Sequence, residues 1–277
     1  MGLFNFVKQY NLLTSIIKAS ERQMRKIKSA KYLFLILLAG ICITGANAMA
    51  SNESKQQPKV LIFDVNETLL DLESMRGSIG QALGGREDLL PLWFSTMLHH
   101  SLVSTVSGEY HDFGQIGVAA LLMVAQNNNI EISAEDAKTA IATPLVSLPP
   151  HPDVKLALAS LKAQGYKLVS LTNSSNKGVK AQFENAGLTE FFEARYSIED
   201  IKIYKPDLRA YEWVLEQLNV AAEDAMMVAA HGWDVAGAKA AGLQTTFIAR
   251  PGKALYPLAQ EPDHVVSDLN ELVKLLK

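Results

Sequence analysis

Lys59-Val60-Leu61-Ile62-Phe63-Asp64-Val65-Asn66-Glu67-Thr68-Leu69-Leu70-Asp71 decides how this chain is read. Val60 to Phe63 is a short apolar run with the length and composition of a buried strand. It ends on a carboxylate, Asp64, and the turn that follows carries a hydroxyl at Thr68. Open α/β sheets bind ligands beyond the carboxyl ends of their strands. Asp64 therefore stands where a nucleophile would stand. The same residue could instead cap a helix or close a turn, so the rest of the chain has to decide.

Downstream, residues 73–149 carry helical periodicity. Leu89, Leu92, Trp93 and Met97 fall at helical spacings, as do Ile116, Ala119, Ala120, Met123 and Val124. Asn127-Asn128-Asn129 interrupts the pattern, and Ser133-Ala134-Glu135-Asp136 has the composition of a helix start. Leu148-Pro149-Pro150-His151-Pro152 ends it sharply. Residues 73–149 read as a helical cap domain inserted after the first strand. Beyond it, helices are expected at 154–164, 177–186, 206–218, 234–241 and 269–276. Strands are expected at 166–171, 194–197, 225–229 and 245–248. This alternation predicts an α/β fold, a doubly wound parallel sheet. Its core domain would comprise residues 59–72 and 150–277.

Upstream, Met24-Arg25-Lys26-Ile27-Lys28-Ser29-Ala30-Lys31 is basic, and 32–45 is apolar. Ala46-Asn47-Ala48 and Ala48-Met49-Ala50 each offer a small-x-small cleavage pattern. Residues 1–50 thus read as a secretory signal peptide, with Met24 as a candidate true start. The apolar run is well short of the roughly 20 residues needed to span a bilayer. A lipoprotein reading through Cys42 is weaker, because Ile41 is bulky where a small residue should precede the cysteine. Residues 51–58 are a polar linker. The expectation is an exported, periplasmic protein that meets the membrane only during export.

Of the 277 residues, 48% are hydrophobic and 20% charged, ordinary for a globular protein with a real core. The net charge of −3 hides an asymmetry: residues 1–50 hold seven Lys or Arg and one acidic residue, and the remainder is net −9. There is no basic stripe of the kind a nucleic acid requires. Cys42 is the only cysteine, so the chain has no intramolecular disulfide and no cysteine-based metal site.

Four strand ends carry chemistry: Asp64 with Thr68, Thr172 with Asn173, Lys205, and Asp234. In a doubly wound fold such ends converge on one crevice. Lys205 could hold Asp64 ionised, and Asp234 could act as a base on water. Each has a plainer reading. Asn173 or Asp234 could cap a helix, and Lys205 could be a solvated surface residue. All four at the ends of successive strands is a much rarer coincidence.

These segments resemble the haloacid dehalogenase superfamily, and specifically the type II (S)-2-haloacid dehalogenases, over roughly residues 59 to 276. The similar stretches are Phe63-Asp64-Val65-Asn66-Glu67-Thr68-Leu69, Leu171-Thr172-Asn173-Ser174-Ser175, Tyr204-Lys205-Pro206-Asp207-Leu208-Arg209-Ala210-Tyr211-Glu212 and Trp233-Asp234-Val235-Ala236-Gly237-Ala238. Residues around Leu92-Trp93 and from Tyr110 to Phe113 also match. The resemblance implies a Rossmann-like core with a helical cap, often as a homodimer, acting on a small 2-haloacid without cofactor or metal. Asp64 would displace halide to form an ester, and water activated by Asp234 would hydrolyse it. Lys205 would keep Asp64 ionised, and Thr68 would position it. Thr172 and Asn173 would hold the substrate carboxylate and the halide. Phe113 and Trp233 would form an apolar wall, and Tyr211 would sit against the nucleophile, though core packing is an equal role for these aromatics.

The superfamily also holds Mg²⁺-dependent phosphatases. Those usually carry a second Asp two residues after the nucleophile and a metal-binding Asp four residues before the position of Asp234. Here these positions are Asn66 and Ala230, which depletes a site for a hard cation. The chain departs from the dehalogenases too. The halide-cradling Arg of the cap is Phe94, the aromatic after the nucleophile is Asn66, a Ser aligns with Ala229, and an Asn with His231. His231 either replaces some lost polarity near substrate or packs without a catalytic task, and Arg76 is a candidate substitute cation. The rival readings are an exported phosphatase of the same superfamily, a related hydrolase with a shifted substrate, and a non-catalytic binding protein that kept the fold.

Overall fold

The computed structural model describes residues 57–277. The expected leader and all but the last two residues of the expected linker lie outside the described residues. Val60–Phe63 forms strand β1, and all four of its residues are buried. Continuous burial marks a strand covered on both faces, as the middle of a parallel sheet is. Strands β2 (Lys167–Thr172) and β4 (Ala225–Ala229) flank it in parallel. With β3 (Ala194–Ser197), β5 (Gln244–Ile248) and β6 (His264–Val266) the sheet has six parallel strands in the order β3-β2-β1-β4-β5-β6. The order reverses between β1 and β4, which makes the gap beyond their carboxyl ends the switch point where such sheets bind ligands. Phe63 is in register with Ser170 and Val228, so Asp64 is the first residue past the shared edge. Its backbone N–H still donates to Val228 O at 3.1 Å.

Four helices lie between β1 and the next core helix: α1 (Arg76–Ala82), α2 (Leu90–Ser107), α3 (Phe113–Asn127) and α4 (Ala134–Val146). The segment is pinched at its base, where Asp71 N–H donates to Pro149 O at 2.8 Å and Leu70 bridges Pro150. The Trp93 indole N–H donates to Gly117 O at 2.8 Å and ties α2 to α3. Asp112 and Gln115 form a capping box at the start of α3, and Ser133 caps α4. The rest of the core is α5 (Val154–Ala163), α6 (Asn176–Ala186), α7 (Leu208–Leu218), α8 (Gly232–Ala240) and α9 (Leu269–Leu275). Among the described residues no helix is long and apolar enough to cross a membrane.

The expected elements are present with shifted ends. The helix expected from Pro206 starts at Leu208, because the Asp207 carboxylate accepts the Arg209 N–H at 3.0 Å and acts as its N-cap. The helix expected from Asp234 starts at Gly232, which puts Asp234 in its first turn rather than at a strand end. Lys205 likewise lies in the loop between β3 and α7. Strand β6 was not expected from its three residues. Leu92, Ala119 and Met123 are exposed despite their helical spacing, whereas Trp93, Met97, Ile116, Ala120 and Val124 are buried.

Candidate active site

Asp64 follows β1, and the turn after it folds back so that the Thr68 hydroxyl donates to Asp64 Oδ2 at 2.7 Å. Thr68 Oγ1 in turn accepts the Ala230 N–H at 2.9 Å. The turn is pinned from several sides. Arg250 donates to Thr68 O and to Asp153, and the His151 ring nitrogen Nε2 donates to Glu67 O at 3.1 Å. Glu67 takes a left-handed backbone, φ 62°, which non-glycine residues rarely adopt and which clusters at functional sites.

Behind Asp64 the Lys205 ammonium is fully buried and spends its three hydrogens on Asp64 Oδ1 (3.1 Å), Leu171 O (2.8 Å) and Asp234 Oδ2 (2.6 Å). The other oxygen of Asp234 accepts the Tyr211 hydroxyl at 2.5 Å. His231 donates from Nδ1 to Asp64 Oδ2 at 2.9 Å and from Nε2 to Glu67 Oε2 at 2.7 Å. Glu67 also pairs with Lys253. The result is one chain of alternating charge, Lys253, Glu67, His231, Asp64, Lys205, Asp234, closed by Tyr211. Buried charges persist only when paired and hydrogen-bonded, and every member here is.

The pairing sets the ionisation. Burial opposes the Asp64 charge, but Lys205, His231 and Thr68 overcome it and hold the carboxyl well below the usual range. Burial works against Glu67 as well, and His231 and Lys253 carry it below its ordinary value. For Asp234 burial wins: despite Lys205 and Tyr211 its pKa is raised, with the Asp64 charge adding to the rise. Burial disfavours the Lys205 ammonium, but Asp234 and Asp64 raise its pKa overall. His231 is pushed down by burial and up, to about 9, by Asp64 and Glu67. Tyr211 is kept neutral by burial and by the neighbouring Asp234.

The structure therefore brings together Asp64, Thr68, Lys205, Asp234, Tyr211 and His231. Trp233 joins them, with its ring 4.9 Å from that of His231 and 5.9 Å from Lys205 Nζ. Tyr211 binds Asp234 rather than the nucleophile, because α7 packs against α8. Asn173 accepts the Lys205 backbone N–H through Oδ1 at 3.1 Å, and among the described residues no group takes its Nδ2. Thr172 Oγ1 accepts the Ser174 N–H at 3.1 Å and shapes the turn after β2. Phe113 is buried at the start of α3 against Tyr204, at 5.9 Å. Arg76 does not serve as a substitute cation, since it is bound to Glu73 and to Glu87 O on the surface of the helical segment. Asn66 turns away from Asp64, donating to Ser174 Oγ at 3.3 Å and accepting from Gln182 at 2.9 Å. Glu67 and Lys253 are the members that sequence reasoning missed. Glu67 lies inside the deciding stretch, but its partners are far away in the chain, His231 being 164 residues on.

The donor set does not fit a divalent cation. Both oxygens of Asp64 and of Asp234 are already taken by ammonium, imidazole and hydroxyl donors, and Lys205 fills the space between the carboxylates. Among the described residues no group of His, Cys, Asp and Glu has the arrangement of a metal site. A cavity of about 930 Å³ lies under α2, α3 and α4 and reaches the core at Ser174, Ser175 and Gln182. Phe113 lines it, but none of the charged chain does, so it is not the place of bond breaking.

Comparison with known proteins agrees with this geometry. A family model described as haloacid dehalogenase-like hydrolase matches residues 58–242. The chain is 30% identical over 222 residues to (S)-2-haloacid dehalogenase 2 of Pseudomonas sp. (strain CBS-3), covering 80% of this chain and 96% of that one. It is 31% identical to (S)-2-haloacid dehalogenase 1 of the same strain, covering 79% and 96%. Among solved structures, the L-2-haloacid dehalogenase of Xanthobacter autotrophicus with chloropropionic acid covalently bound superposes with a TM-score of 0.73. It has 27% identity over 79% of this chain and 98% of that one.

Proposed function

The chain belongs to the haloacid dehalogenase-like hydrolases, and from that premise we propose that it converts small (S)-2-haloacids to 2-hydroxy acids through an ester on Asp64, without a metal. The observation that carries this reading is the Lys205 ammonium bridging Asp64 and Asp234, one carboxylate held ionised and the other raised. An ionised carboxylate at the switch point can attack the halogen-bearing carbon, whose bonding pair leaves with the halide. A carboxylate with raised affinity for protons is suited to take one from water in the second step. The free amide of Asn173 supplies a donor for the substrate carboxylate. Trp233 supplies apolar surface, with the inserted helices acting as a cap. The protein would be exported, its leader removed, and would act as a homodimer.

The test is halide release from (S)-2-chloropropionate in EDTA. We expect release by the wild type and none by Asp64→Asn, whose amide cannot form the ester. Phosphate release from a phenyl phosphate only with added Mg²⁺, and no halide, would assign the chain to the phosphatase rival instead.

A further inference from the structure

His231 has no part in the reaction as written above, yet after Thr68 it is the side chain bound most closely to the nucleophile. The two oxygens of Asp64 are unlike. Oδ1 meets one donor, the Lys205 ammonium at 3.1 Å, and that ammonium is shared with Leu171 O and Asp234. Oδ2 meets two, the Thr68 hydroxyl at 2.7 Å and His231 Nδ1 at 2.9 Å. An oxygen engaged by two strong donors is the poorer nucleophile, so Oδ1 forms the bond to carbon. Oδ2 is then the carbonyl oxygen of the ester. The same two donors already lie at the distances that stabilise an oxyanion there.

The surroundings keep His231 in a form that can do this. A carboxylate faces each ring nitrogen, Asp64 on one side and Glu67 on the other, so both nitrogens donate and the ring is an imidazolium. Lys205 and Lys253 lie on the far sides of those carboxylates and complete the charged surroundings. The ring lies between two aromatic faces, Trp233 at 4.9 Å and 24° and Phe94 at 6.0 Å and 28°. Such faces attract a cation. Phe94 occupies the position where the resemblance leads one to expect an Arg. A guanidinium there would repel the imidazolium, whereas a phenyl ring supports it. The cation near the reacting centre is thus supplied by the core instead of the helical segment.

We propose, on the reading of Asp64 as the nucleophile, that His231 is a catalytic residue of the hydrolytic half-reaction. With Thr68 it forms an oxyanion hole around Asp64 Oδ2, and Glu67 is the positioning residue that holds it there. Water adds to Cγ of the ester while Asp234 takes one of its protons, and the carbonyl pair moves onto Oδ2. The pair then returns, the bond between Cγ and Oδ1 breaks, and Asp234 gives its proton to the departing Oδ1. That oxygen leaves as the hydroxyl of the 2-hydroxy acid. The carboxyl left on Asp64 carries the oxygen of water and ionises, releasing the second proton to solvent.

The experiment is rapid-quench halide release and intact-mass spectrometry on the wild type, His231→Leu, His231→Met and Glu67→Gln, with (S)-2-chloropropionate. His231→Leu, which has no donor, should release a stoichiometric burst of halide at a rate close to that of the wild type. It should then accumulate the covalent ester and turn over about 10²-fold more slowly. Glu67→Gln should accumulate less ester, lower kcat with little change in KM, and lose activity at lower pH than the wild type. His231→Met decides the matter if the Leu variant does not fold. Slowed halide release with no trapped ester, or unchanged turnover, would overturn the assignment while leaving the dehalogenase reading intact. A folded wild type that releases no halide would overturn both.

Discussion

Asp64 is held by three donors, and the least expected of them, His231, controls how the protein responds to alkali. Its pKa is raised from 6.5 to about 9 by the carboxylates on either side. The stability it contributes is therefore full below about pH 6.5 and is lost as the pH climbs through about 9. That displacement corresponds to on the order of 3 kcal/mol. Asp64 and Glu67 act in the opposite sense. Both are held below their ordinary values of 3.8 and 4.5, so their contribution is present above that range and fades as the pH falls through it. The unfolding temperature of the wild type should pass through a maximum near neutrality and decline towards pH 9. Calorimetry of His231→Asn should show a flatter alkaline limb, and a limb as steep as that of the wild type would mean that His231 is neutral in the native state. Lys205 is the larger stake. Replacing it with Met leaves two buried carboxylates facing each other, an imbalance that costs about 3–5 kcal/mol when one partner of a buried pair is removed. The variant should melt far below the wild type and release no halide. A Lys205→Met protein as stable as the wild type would refute the view of Lys205 as the bridge between Asp64 and Asp234.

The elements matter because their ends aim these side chains. Helix α8 starts two residues earlier than its sequence pattern indicated, and that places Asp234 within its first turn, against Lys205 and Tyr211. The helix approaches its neighbours closely at Gly237. A Cβ there would lie 2.6 Å from Pro206 Cβ and 2.8 Å from Tyr211 Oη, inside contact distance. Gly237→Ala must therefore push α8 away from the loop that carries Lys205. Overpacking of this kind costs about 1–3 kcal/mol, and kcat should fall with it because the Tyr211 to Asp234 contact is disturbed. Thermal unfolding and steady-state halide release on the same preparation check both, and a fully active Gly237→Ala would show that α8 has room to shift. The sequence pattern located nearly every element because apolar periodicity follows directly from which face is buried. It missed β6, whose three residues are too few to carry a period, and it did not separate Leu92, Ala119 and Met123, which are exposed, from the buried residues that share their helical spacing. Periodicity says that a helix has a buried face without saying how wide that face is.

At the scale of the molecule, the turn after β1 is anchored by groups from distant parts of the chain. Arg250, from the segment after β5, reaches Thr68 O with Nε and Nη2 and Asp153 with Nη1 at 2.8 Å. Asp153 also accepts the Leu269 N–H at the start of α9. Arg250→Ala breaks this three-way junction and leaves Asp153 without its cation. A loss of about 3 kcal/mol is expected, as for a broken buried pair, together with a lower kcat/KM as Thr68 loosens. Chemical denaturation and halide kinetics test it, and an Arg250→Ala protein with the kinetics of the wild type would show that the turn holds itself. The sequence by itself determined the parallel α/β architecture and the inserted helices, and it grouped Asp64, Thr68, Lys205 and Asp234 as one candidate site. Those properties reside in local apolar pattern and in residues placed at or near the ends of strands, which the linear order displays. It left the role of His231 open, because a lone histidine has no pattern. Only the tertiary structure decided that His231 is clamped between Asp64 and Glu67, that Tyr211 serves Asp234, and that Arg76 serves neither. Those choices depend on distances of about 3 Å that the linear order does not display, His231 being more than a hundred residues from both of its carboxylates, and they are set by the packing of β1, β4 and α8 around buried charges that must all be paired.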